Sequence, residues 1–227
     1  MPFELWIDAD DTLWENNVFF EHAFDDFIDF LNHSTLTARQ VRDFLDEIEH
    51  MNNRVHGYGA HNFARNLEQC FERLSERGAS VSDRAHIQRF GHKLAQHPIE
   101  LLEGVEDTLA YLAERHVLLL CTKGDPIEQR GKLERSGLVH FFHHVRILRE
   151  KDAIAYRDLL VERSASLDQT WMIGNSPKSD INPPLEIGMR AVYVPHPRTW
   201  HLEHQPVPRE HDRLLVLERF ANLQDHF

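Results

Sequence analysis

The chain opens on a short apolar run, Phe3-Glu4-Leu5-Trp6-Ile7, that stops at the acidic stretch Asp8-Ala9-Asp10-Asp11-Thr12. A brief apolar run cut off by polar residues predicts a buried strand followed by a loop. From about Val18 to Gln96 the spacing changes. Apolar side chains fall at helical intervals in Phe19, Phe20, Phe24, Phe27, Ile28 and Leu31, and again in Val41, Phe44, Leu45 and Ile48. Phe63, Leu67, Phe71 and Leu74 form a third set, and Ile87, Phe90 and Leu94 a fourth. This pattern predicts four helices, with Thr37 and Ser82 as N-caps of two of them.

After Pro98 the pattern alternates. Helices are predicted over Val105 to Arg115, Pro126 to Ser136, Ala153 to Ser164 and Ser179 to Ile187. Strands are predicted over Val117 to Cys121, His144 to Leu148, Thr170 to Ile173 and Ala191 to Val194. A weaker strand, Arg213 to Val216, precedes a last short helix. Strands alternating with helices imply an α/β domain, a parallel sheet covered on both faces. The helical block interrupts that domain directly after the first strand, at the end where open α/β sheets bind ligands.

Length and composition narrow the function. The 227 residues are 41% hydrophobic and 27% charged, which fits a folded chain with a substantial core. The formal net charge of -12 argues against a nucleic-acid partner, whose affinity rests on Lys and Arg. It leaves open a small phosphorylated substrate held by a few aimed donors. Cys70 and Cys121 form no CxxC pair, so neither a disulfide framework nor a zinc site is implied. The 17 histidines are scattered and read mainly as surface groups. No segment has the length of a membrane span, so no membrane partner is expected and a cytoplasmic protein is. The many apolar residues of the helical block leave room for a homodimer.

The chemistry begins at Asp8 and Asp10. Two positions apart at a strand end, their carboxylates share a side, and like charges so close call for a cation. Asp8-Ala9-Asp10-Asp11-Thr12-Leu13 resembles DxDxT, the first motif of the haloacid dehalogenase (HAD) superfamily. Thr122-Lys123-Gly124 resembles the second motif, Lys151 the third, and Gly174-Asn175-Ser176-Pro177-Lys178-Ser179-Asp180 the fourth, GDxxxxD. All four fall in order at predicted strand ends.

This resemblance implies a Rossmann-like HAD core over residues 1–13 and 98–227, with an all-helical C1-type cap over 14–97. It implies Asp8 as nucleophile, Asp10 as general acid and base, Thr122 and Lys151 as catalytic partners, and Mg2+ as cofactor. Asp8, the Asp10 carbonyl, Asn175 and Asp180 would hold the metal, and Asn175 departs from the family's usual acid. Substrate contacts are expected from Thr122, Lys123, Gly124 and Lys151, and from Tyr58 and Asn62 in the His56–Asn62 stretch. Trp14, Asn16, Asn17 and the segment Pro195–Trp200 are candidates for a rim. Lys132 is a rival to Lys151, but inside a predicted helix it reads as a solvated lysine.

The expected activity is hydrolysis of a small phosphorylated metabolite. Phosphotransfer or a mutase reaction, 2-haloacid dehalogenation and a non-catalytic binding role are the alternatives. The dehalogenases of the family carry an aromatic residue in place of Asp10, which favours phosphate chemistry.

Overall fold

The opening apolar run forms β1 (Glu4–Ile7), whose three last side chains are buried. The computed structural model describes residues 2–208 and 210–227. Four helices follow: α1 (Asn17–Leu31), α2 (Ala38–His56), α3 (Ala60–Leu74) and α4 (Val81–Ala95). The alternating part then supplies α5 (Val105–Ala113), β2 (Val117–Lys123), α6 (Pro126–Ser136), β3 (His144–Leu148) and α7 (Ala153–Arg163). It ends with β4 (Thr170–Gly174), α8 (Asn182–Glu186), β5 (Arg190–Tyr193) and β6 (Leu214–Val216). A 3-10 turn at Phe220–Asp225 stands where the last short helix was expected.

The six strands make one parallel sheet in the order β3-β2-β1-β4-β5-β6. β1 is central, so its C-terminal end opens where the strand order reverses, the place where open α/β sheets seat ligands. Alternation along β1 dresses both faces. Leu5 and Ile7 join a cluster with Leu109 and Leu112 of α5 and Leu133 of α6. Trp6 points the other way and packs with Tyr156, Leu159 and Leu160 of α7. This is the parallel α/β core that the alternating pattern predicts, and the Rossmann-like one that the resemblance implies.

The chain divides into two compact units, Met1–Asn17 with Ile99–Phe227, and Val18–Pro98. Residues 14–17, expected with the helical segment, pack with the α/β unit because the fully buried Trp14 joins its core. The helical unit has its own core, built on Phe24, Phe27, Phe63 and Phe71. Thr37 and Gln40 close a reciprocal capping box at the start of α2. The cap of α4 is Ser80 rather than Ser82, because Asp83 lies three residues beyond Ser80 and completes the box. The helix expected over Ser179 to Ile187 is a π-turn, Pro177–Ile181, followed by short α8. Pro183 and Pro184 lack backbone N–H groups and fit only a first turn.

Candidate active site

Three of the four motifs converge at the end of β1. Lys151, only 3% exposed, donates from Nζ to Asp8 Oδ1 at 2.5 Å and to Asp180 Oδ1 at 2.8 Å. The Thr12 hydroxyl reaches Asp8 Oδ2 at 3.1 Å and Asn175 Oδ1 at 3.2 Å. Thr122 is buried at the end of β2, in register with Ile147 of β3. Burial and the nearby Asp180 carboxylate push the Asp8 pKa up to about 7, against the pull of Lys151. Burial opposes the charge on Lys151, yet Asp180 and Asp8 outweigh it and raise its pKa.

Asp10 is held differently. Its Oδ1 accepts from the Trp14 indole at 2.8 Å, and its Oδ2 accepts from Gln129 Nε2 at 2.8 Å. Lys132 Nζ donates to both oxygens at 3.1 Å and to Asn16 Oδ1 at 2.7 Å. Burial works to raise the Asp10 pKa, but Lys132, Gln129 and Trp14 together bring it below its ordinary value. Reading Lys132 as a solvated lysine is therefore wrong: it is 1% exposed and ion-paired with Asp10. Gln129, Lys132 and Leu133 share one face of α6, and Leu133 marks that face as inward. This was the available signal, and a single apolar residue made it weak.

The loop after β4 orients the next groups. Asn175 Nδ2 donates to Thr199 Oγ1 at 2.8 Å, which turns the amide oxygen toward Thr12. Thr199 comes from the expected rim segment Pro195–Trp200. Asp180 is engaged on both oxygens, by Lys151 and by the Ser176 backbone N–H at 3.0 Å. Gly174 leaves room for it, since a Cβ there would collide with the Asp180 carboxylate. Pro177 and the π-turn thus aim Asp180 at Lys151.

The other candidates have partners of their own. Lys123, expected to bind substrate, turns its ammonium to Glu203 at 2.8 Å, Ser179 Oγ at 2.9 Å and Glu150 at 3.2 Å. The cause is Glu203, a buried acid that also accepts from the Ser176 and Ser179 hydroxyls. Burial tends to raise the Glu203 pKa, but Lys123 and the two hydroxyls lower it. Nothing in the local sequence marked Glu203. Gly124 turns the chain at φ +138, with Gln129 against it. Tyr58 and Asn62 belong to the helical unit. Asn62, expected to meet substrate, is buried and donates to Asn53 Oδ1 at 2.9 Å and to Gly57 O at 2.7 Å, closing the α2–α3 turn.

The Asp8 site suits a divalent cation. Asp8, Asp10 and Asp180 set three carboxylates against two ammonium groups, Lys151 and Lys132. Asp8 Oδ2 and Asn175 Oδ1 both lean on the one hydroxyl proton of Thr12, leaving more acceptors than protons. Oxygen ligands of this kind, few and partly neutral, match magnesium. Asp11, Glu15 and His196 form a separate group whose ligand atoms lie within 4.8 Å of one another. There His196 faces Asp11 through Nδ1 at 4.0 Å and Glu15 through Nε2 at 3.6 Å, while Arg198 pairs with Glu15. These contacts tie the Pro195–Trp200 segment to the residues after the first motif.

The fold and this geometry define a parallel α/β core with an aspartate at the central strand's end. The pattern shared by haloacid dehalogenase-like hydrolases matches residues 6–183, and the chain belongs to that family. Over 145 residues it is 32% identical to the pyrimidine 5'-nucleotidase PynA of Streptococcus pneumoniae, covering 60% of this chain and 61% of that protein. Over 138 residues it is 28% identical to a phosphoserine phosphatase of Thermus thermophilus, covering 56% and 53%. The chain thus matches little more than half the length of either relative. A haloacid dehalogenase-like family hydrolase from Xanthomonas campestris superposes with a TM-score of 0.84 at 27% identity, covering 99% of this chain and 94% of that one. Among the described residues no helix is long and apolar enough to cross a membrane.

Proposed function

We propose that this protein is a magnesium-dependent phosphomonoesterase that hydrolyses a small phosphorylated metabolite through a phosphoaspartyl intermediate on Asp8. The observation that carries this reading is the pairing of Asp8 and Asp10 at one strand end, with each carboxylate held by its own buried lysine. The names of the two relatives, a nucleotidase and a phosphatase, point the same way.

In the first step Asp8 attacks phosphorus. An Asp8 O–P bond forms as the bond to the leaving oxygen breaks, and Asp10 gives that oxygen its proton. Lys151 and the Thr122 hydroxyl lie at the strand ends where they would balance charge on the phosphoryl oxygens. In the second step water attacks phosphorus, its proton passes to Asp10, and the Asp8 carboxylate is regenerated as phosphate leaves. Having given up its proton in the first step, Asp10 is then the carboxylate that its lowered pKa favours. Asp8, the Asp10 carbonyl and Asn175 would hold Mg2+, with Asp180 acting through Lys151 and Ser176. The bound ion would supply further positive charge to the phosphoryl group.

The test is p-nitrophenyl phosphate hydrolysis with and without Mg2+, in wild type and Asp8→Asn. The expected result is metal-dependent turnover that Asp8→Asn lowers by at least about 10³-fold. Equal turnover by Asp8→Asn, or halide release from a 2-haloacid in place of phosphate release, would refute it.

A further inference from the structure

Lys132 and Gln129 have no part in the motifs, yet α6 buries both side chains and sends both to Asp10. A lysine buried to 1% exposure is costly unless its charge is answered, and Asp10 answers it, with Glu128 at 3.6 Å. The contacts also fix geometry. Lys132 Nζ is 3.1 Å from each Asp10 oxygen, so it bridges the carboxylate, while Gln129 and Trp14 each grip one oxygen at 2.8 Å. Gln129 is itself tied to the Lys123 carbonyl at 3.0 Å, and Lys132 to Asn16 at 2.7 Å. One helix face thus sets the rotation of the Asp10 side chain relative to β2 and to the segment after β1.

We propose that Lys132 and Gln129 are positioning residues that aim the Asp10 carboxylate at the water attacking phosphorus. The inference rests on the phosphatase reading of the site. In the step concerned, the water oxygen bonds to phosphorus as the Asp8 O–P bond breaks, and the water proton goes to an Asp10 oxygen. A base held in the wrong direction leaves that proton without an acceptor, so the phosphoaspartate outlives its formation.

The experiment is rapid-mix hydrolysis of p-nitrophenyl phosphate, whose leaving group departs as phenolate without a proton. Lys132→Met is expected to give a burst of about one p-nitrophenolate per site, then a steady rate lowered about 10²-fold. Gln129→Met removes no charge, so it tests the same geometry without the risk of a misfolded charge site. It is expected to show the same burst with a fall of about tenfold. In an Asp10→Asn background neither substitution is expected to lower the steady rate further, because both act through Asp10.

Loss of burst and steady rate together, wild-type steady rates in both variants, or a further fall of similar size in the Asp10→Asn background would overturn the positioning role. In each of those cases an active wild type leaves the phosphatase reading standing. A wild type inactive on every phosphate ester sinks both.

Discussion

Asp10 and Asp11 are adjacent in sequence, yet their carboxylates meet opposite conditions. Lys132, Gln129 and Trp14 hold the Asp10 pKa below its ordinary value. Among the described residues Asp11 is buried without an ion pair to a lysine. Its carboxylate accepts the backbone N–H groups of Asn16 at 2.8 Å and Asn17 at 3.0 Å, but burial still raises its pKa to about 7. The folded-state value lies above the unfolded one, so the protonated folded form is favoured between them. Asp11 therefore favours folding at pH below about 4, and that advantage is lost as pH rises through about 7. Asn keeps the acceptor oxygen and tolerates the left-handed backbone at φ 59. Asp11→Asn is expected to stabilise the protein at pH 8 by about 2 kcal/mol, roughly half of what the full shift would give, with the gain fading toward pH 4. Denaturant titration across that range checks it, and a gain independent of pH would show the buried charge is not the cause.

Legibility follows the same physics at this scale. Asp8, Thr122 and Lys151 could be read because each stands beside an apolar run that fixes its address at a strand end. Lys132 could not, because a helix presents its inward face only through periodicity, and in α6 just one inward residue, Leu133, is apolar. Glu203 and Thr199 act from the long segment after β5, where no period exists to place them.

Among the elements, α3 and α4 are packed tightly at Gly91, which faces the other helix. A Cβ at Gly91 would lie 2.7 Å from the Ala64 Cβ and 3.0 Å from the Ala60 carbonyl oxygen. Both obstacles belong to α3 and neither is the far end of a flexible side chain, so the helices must move apart. Gly91→Ala should gain helix propensity yet lose packing, a net destabilisation of about 1–3 kcal/mol. Circular dichroism melts of the whole protein would show it as a lower midpoint, and an unchanged or higher one would mean the helices part freely. The four helices themselves were readable, because long periodic runs of Phe and Leu leave no other burial pattern. Their exact starts depend on side-chain acceptors. Ser80 and Ser82 are both plausible caps until the position of Asp83 is weighed. After β4, a helical spacing of apolar residues hides the fact that two prolines restrict where a helix can begin.

At the scale of the molecule, the α/β unit is assembled from two distant stretches of chain, and the first contributes only Met1–Asn17. That short stretch nevertheless supplies the central strand and two of the site's three carboxylates, Asp8 and Asp10. Any ligand bound at Asp8 and Asn175 therefore ties β1 to the loop after β4 and should stabilise the α/β unit. If Mg2+ binds there, saturation at about a hundred times its Kd adds about 2.7 kcal/mol to that unit. The expected result is a rise in the wild-type melting transition with Mg2+ that Asp8→Asn and Asn175→Ala both shrink. The rise should be smaller at pH 5.5 than at pH 8, because Asp8, with its pKa raised to about 7, is then mostly protonated and a poorer ligand. Calorimetry distinguishes the outcomes. A shift of equal size in wild type and Asp8→Asn would place the ion elsewhere, with the Asp11, Glu15 and His196 group as the next place to substitute. Because the helical unit has a separate core, its own transition is expected to stay where it is, and that stationary transition is the internal control for specific binding.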